Sequence, residues 1–146
     1  MNTARLLQLA DYLAGLPSDM FDLGVLVHCP EKPARLLTRL PDGSRAGPLG
    51  WLPAAWPDAW CWLGFEDGQV FPVFAGSSLW SPARFDFAEM RSDRWNLELR
   101  LWRQVGEWFE MEDVSSLDRL FSAEAYPDGY RGTAAVVNRL RSTTMQ

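Results

Sequence analysis

Apolar positions at the start of the chain recur at a helical spacing. Leu6, Leu9, Ala10, Leu13 and Leu16 fall at i, i+3, i+4, i+7 and i+10, which is one face of a 3.6-residue period. This predicts a helix from Thr3 to Leu16, capped by Asn2 or Thr3 and stopped by Gly15 and Pro17. A short turn over Ser18–Phe21 then feeds the run Phe21-Asp22-Leu23-Gly24-Val25-Leu26-Val27. That run is apolar and β-branched enough for a buried strand, with a helical turn as the alternative. Residues 30–50 are broken by Pro30, Pro33, Pro41 and Pro48 together with Gly43, Gly47 and Gly50. Only Ala34–Leu40 has room there for a helical turn or a short strand.

Further on, the period changes. Trp60-Cys61-Trp62-Leu63-Gly64-Phe65 and Gln69-Val70-Phe71-Pro72-Val73-Phe74 flank Glu66-Asp67-Gly68. Asp-Gly between aromatic, β-branched runs predicts a hairpin with a type I′ turn. Pro72 cannot donate to a ladder, so its strand belongs at an edge or at a bulge. After a loop over Gly76–Phe87, the helical period returns. Arg94–Glu110 carries the stripe Trp95, Leu99, Trp102, Val105 and Phe109, expected to face the core. Asp113 or Ser115 caps a short helix holding Leu117, Leu120 and Phe121, and Tyr126–Tyr130 reads as a turn. Thr133 caps a last helix whose Ala134, Val137 and Leu140 point inward, with Arg139 and Arg141 at its carboxyl end. The expected fold is α+β in one domain spanning residues 1–146: an N-terminal helix, a small antiparallel sheet with the hairpin, and C-terminal helices packed on it.

Composition narrows the function classes. A net charge of −5 argues against duplex nucleic acid as the main ligand, because that binding needs a basic face. No apolar run approaches the roughly 20 residues that span a bilayer, and the opening helix already carries Arg5 and Asp11 among its leucines. A cytoplasmic protein is the expectation. The two cysteines, Cys29 and Cys61, have no neighbours at zinc-ligand spacing and read as free thiols that are partly or wholly buried.

Two segments carry a resemblance. Leu6–Gly24, reading LLQLADYLAGLPSDMFDLG, resembles the opening LxxLADxLExLPPExFDM of a family of small uncharacterised bacterial and phage proteins. Trp108–Tyr130, reading WFEMEDVSSLDRLFSAEAYPDGY, is similar to that family's close: an aromatic pair, a capped helix ending in Leu-Phe, a Tyr-Pro turn and a Thr-capped helix. Between them the family has a Cys-Gly-Thr-x-x-Cys-x-x-Gly-Trp segment. Here only Gly50-Trp51 remains of it, with Arg45-Ala46-Gly47-Pro48 in place of the cysteines. The resemblance implies a compact accessory protein of phage or prophage type and brings no activity with it.

Candidate chemistry is sparse. His28 is the only histidine, and its neighbour Cys29 would point to the opposite side of a strand. Phosphate-loop, dinucleotide and nucleophile-elbow motifs are missing. No catalytic, metal or cofactor residue is assigned, and no cofactor is expected. Two features suit a binding surface. One is the acidic run Glu107, Glu110, Glu112 and Asp113, extended by Asp118, which would attract a basic partner. The other is the dense set Trp51, Trp56, Trp60 and Trp62, too many to bury at once in a small domain and of a type enriched at hot spots. These point to a non-enzymatic protein that inhibits or modulates a host protein by occlusion. The alternative is a small-molecule or nucleotide binder using tryptophans with Arg84, Arg91 and Arg94.

Overall fold

A computed structural model describes residues 1–76, 87–127 and 132–145, and of residues 87–89 the backbone only. The architecture is α+β. Helix α1 (Thr3–Ala14) buries Leu6, Leu9, Ala10 and Leu13, and Asn2 caps it by accepting the Arg5 N–H. Its start is tied to a distant helix end. The Asn2 N–H donates to the Phe109 carbonyl, and the Arg5 guanidinium donates to the Trp108 carbonyl at 2.7 Å while lying 3.5 Å over the Trp108 ring.

Of the Phe21–Val27 run only Val27 belongs to a strand, and none of it is helical. Asp22 turns the chain instead, its carboxylate accepting the Gly24 N–H, and only Phe21 makes an isolated bridge to Ala46. Strand β1 (Val27–His28) pairs antiparallel with β3 (Arg45–Ala46), and β2 (Leu36–Leu37) lies beside β4 (Trp60–Gly64). A 3-10 turn over Leu49–Trp51 and the short α2 (Leu52–Ala55) deliver the chain to β4. Strand β5 (Val70–Phe74) completes the order β2-β4-β5, so Pro72 does sit on an edge strand.

Both faces of this sheet are covered. On one side Trp60 and Trp62 enter the main core with α1, α4 (Leu97–Trp108) and α5 (Val114–Phe121). On the other, Cys61, Leu63 and Val73 meet Met90 of α3 (Phe87–Ser92) and Leu97. That double burial holds every β4 residue out of solvent. It also pushes the Cys61 thiol up to about 12, leaving it an inert hydrophobe. The last helix, α6 (Ala134–Thr144), packs mainly on α1 and buries Val136, Val137 and Leu140; Ala134, expected inside, is exposed. Thr133 occupies its N-cap position without a side-chain hydrogen bond. Most of the expected Tyr126–Tyr130 turn lies outside the described residues; Tyr126 itself is buried, its hydroxyl donating to the Leu120 carbonyl.

The hairpin turn differs in type from the expected one. The Gly68 N–H donates to the Phe65 carbonyl, the Phe65 N–H donates to that of Gln69, and only Gly68 has a positive φ, at 92°. This is a three-residue loop with a bulge at glycine, whereas a type I′ turn needs two positive φ values. Valine at Gly68 should cost about 1–3 kcal/mol by straining that backbone, read as a lower urea midpoint. Asp67 in the same loop accepts the Gln69 N–H at 3.1 Å and binds Arg94. The Gln69 amide and then the arginine hold its carboxyl below the usual value. Its stabilising contribution is therefore present above the unfolded value of about 3.9 and fades as pH falls through the lowered folded value. Asp67→Asn should flatten that part of the acid limb in a stability-versus-pH series.

Candidate partner-binding groove

Helix α4 carries two apolar stripes. Leu97, Leu101, Val105 and Phe109 fall at i, i+4, i+8 and i+12, and all are buried. About a third of a turn round the helix, Leu99 and Trp102 form a second stripe that Trp95 extends by one turn toward the N-terminus. Here the structure corrects the sequence reading: Trp95 is 91% exposed and Leu99 72% exposed, with Trp102 only partly buried. An indole this bare is unusual, because its area is worth much when removed from water.

Leu99 and Trp102 line one wall of a groove of about 1210 Å³, and Trp95, in the turn before α4, stands outside that lining. The other wall of the groove is α5, which contributes Val114, 68% exposed, and Leu117. Asp113 caps α5 by accepting the Ser115 N–H at 3.0 Å and the Ser116 hydroxyl at 3.1 Å. Met111 lies between the two walls. Gly106 sets how closely they meet, since a Cβ there would stand 2.9 Å from the Met111 carbonyl oxygen and 3.3 Å from a Leu117 methyl.

The acidic residues singled out in the sequence stand on this groove. Glu107, Glu110, Glu112 and Asp113 all line it and are exposed, together with Asp118, against a single guanidinium from Arg103. Glu110 has a further peculiarity. Its φ is +54°, and among the described residues no other non-glycine is left-handed. The Glu110 N–H donates to the Glu107 carbonyl and the Met111 N–H to that of Gly106 at 2.8 Å. That is a Schellman ending for α4 with glutamate where glycine is the usual residue. A left-handed L-residue costs roughly 1–2 kcal/mol. Glu110→Gly should thus stabilise the fold by about 1 kcal/mol and raise Tm by about 2–4 °C. A lower Tm would show that the glutamate is not held in that conformation.

The tryptophan set divides differently from expectation. Trp51, Trp60 and Trp62 are buried and form no surface. In two of them backbone carbonyls accept the buried indole N–H, Gly50 for Trp62 at 2.8 Å and Ala46 and Met20 for Trp51 at 3.0 and 3.1 Å, whereas the Trp60 N–H is buried without a partner among the described residues. Trp56 is half-buried, edge-on to Trp108 and Phe109. Among the described residues the exposed tryptophan is Trp95, which the stripe argument had placed inside.

Other candidates stand apart from this groove. Arg91 donates to the Gly64 carbonyl and pairs with Glu66, while Arg94 binds Asp67 and Gln69, both guanidinia lying over Phe65. These arginines brace the hairpin loop. Arg84 lies outside the described residues. A separate hollow of about 410 Å³, bordered by Tyr12, Arg39, Trp51 and Trp62, holds neither Arg91 nor Arg94. His28 is exposed on β1 opposite Arg45. Among the described residues no group of three or more His, Cys, Asp or Glu side chains could hold a metal ion, and no helix is long and apolar enough to cross a membrane.

Compared with known proteins, the chain matches no family model, and no curated protein or solved structure is significantly similar to it.

Proposed function

We propose that this protein is a non-enzymatic binding protein that docks another protein in the α4–α5 groove and acts by occlusion. The observation that carries the reading is the exposed apolar pair Leu99 and Val114, 72% and 68% exposed on the two walls of an acid-rimmed trough. Contiguous apolar area framed by polar groups is what an interface looks like before its partner arrives. The one-signed rim selects a partner whose docking face is basic, and it speeds encounter by steering. A partner segment covered in this way is denied to its other contacts, which is how occlusion inhibits or modulates. The phage or prophage setting, with a host protein as target in the host cytoplasm, follows from the resemblance of the two terminal segments to phage and bacterial proteins.

A small-molecule or nucleotide site is the second reading. The hollow at Tyr12, Trp51 and Trp62 is the place for it, although both indole N–H groups there are taken by backbone carbonyls.

The test compares proteins retained from bacterial lysate by the wild-type chain and by Leu99→Asp/Val114→Asp. Both positions are exposed, so the variant should keep its Tm. A protein held stoichiometrically by the first and lost with the second is the expected result. Identical retention by both would overturn the reading. A nucleotide panel that quenched tryptophan emission at micromolar concentration would favour the hollow instead.

A further inference from the structure

Resting on that reading, we infer that the occupant of the groove is an amphipathic α-helix with lysine or arginine along its flanks. Three features of the walls select it. The first is backbone chemistry. Both walls are helices, whose backbone groups away from the helix ends are bonded within the helix, and no strand residue lines the trough. An extended segment laid there would leave its main-chain groups facing Leu99, Trp102 and Val114 without partners. A helix brings its backbone already bonded.

The second is spacing. Leu99 and Trp102 on α4, and Val114 and Leu117 on α5, are each three residues apart. These rows form the ridges that interdigitate with an i, i+3, i+4 row on a third helix. The helical wall from Leu99 to Trp108 is about 14 Å long at 1.5 Å per residue, enough for roughly two and a half helical turns.

The third is charge. Five carboxylates face one guanidinium along the rim, so the flanks of the occupant carry positive charge. The same count disfavours a second copy of this chain, because a two-fold pairing would set the five carboxylates against their own duplicates.

The inference is tested with three synthetic peptides of about 14 residues, read by fluorescence anisotropy and circular dichroism. One carries leucine at i, i+3, i+4 spacing with arginine on its flanks. A second has the same composition permuted so that no apolar face forms. The third replaces arginine with glutamate. The wild-type protein should bind the first at least about tenfold tighter than either control, with a gain in helicity. Leu99→Ser/Val114→Ser should lose about tenfold at unchanged Tm, and binding should weaken from about 50 to about 300 mM salt.

Equal binding of the permuted peptide would mean that charge alone acts, and equal binding of the glutamate peptide would remove the basic requirement. Binding without a helicity gain would mean an extended occupant. Any of the three overturns the inference. If the peptides fail while retention from lysate still depends on Leu99 and Val114, the occupant is of another kind and the docking reading stands. If both fail, both fall.

Discussion

Alanine at Gly50 is expected to cost about 3–5 kcal/mol, which places it in the rare class of large single-site effects. A Cβ there would stand 2.0 Å from the Leu26 carbonyl oxygen and 2.6 Å from the Ala46 Cβ. Neither neighbour can retreat cheaply. The Leu26 carbonyl accepts the Gly47 N–H, and Ala46 is wholly buried on β3. Moving Gly50 instead would pull its carbonyl from the Trp62 indole, which it accepts at 2.8 Å. For a domain of this size the loss corresponds to a Tm lower by roughly 10 °C or more. Gly64 should behave alike, its Cβ falling 1.7 Å from the Pro33 carbonyl oxygen. Gly15 is the control: nothing stands nearer than 3.8 Å and its φ is −89°, so Gly15→Ala should be neutral or slightly stabilising. Thermal melts of the three variants check this, and a Gly50→Ala melt close to wild type would refute the close approach.

How much of this could be read from the chain depends on whether local or tertiary forces decide. Helix α1 was legible because one stripe of leucines, one cap and one Gly-Pro stop agree. The hairpin was legible because Asp67-Gly68 sits between two β-branched runs, yet its turn type was not. That depends on whether one or two residues take positive φ, and Asp tolerates either. The facing of α4 was misread for a definite reason. The outward row Trp95–Leu99–Trp102 and the inward row Leu97–Leu101 run at the same helical spacing, and both lead into Val105 and Phe109. Periodicity alone cannot choose between them. Packing against β5 and the main core chooses Leu97 and Leu101, leaving the tryptophan row bare.

The binding candidates divided in the same way. The acidic run was legible, since charge is read directly from composition, and the structure sets it on the rim of an apolar trough. Burial of Trp51, Trp60 and Trp62 was not legible, because it depends on how α1, α4 and α5 close over one face of the sheet. Nor does any local signal mark Glu110 as left-handed. It shows only in the Schellman hydrogen bonds that end α4, from Glu110 to Glu107 and from Met111 to Gly106.

Reversing Glu107, Glu110 and Glu112 to lysine should slow association with the groove's partner by a factor on the order of 10 to 100 at low salt. All three side chains are exposed on the rim, so the change acts on the approach of a basic surface more than on contacts made afterwards. Asp113 is left in place because its carboxylate caps α5, and losing a cap costs about 1 kcal/mol. Glu107 lies in the last turn of α4, where a cation suits the dipole, so Tm should hold or rise slightly. Salt discriminates the cause. Steering weakens as the screening length shortens to roughly 8 Å near physiological ionic strength. The wild-type and reversed on-rates, measured by stopped flow against the retained partner or the arginine-flanked peptide, should therefore converge as salt rises, with off-rates changing less. On-rates that agree at every salt concentration would make the rim ordinary solvated surface and leave the apolar stripe as the only attraction the groove offers.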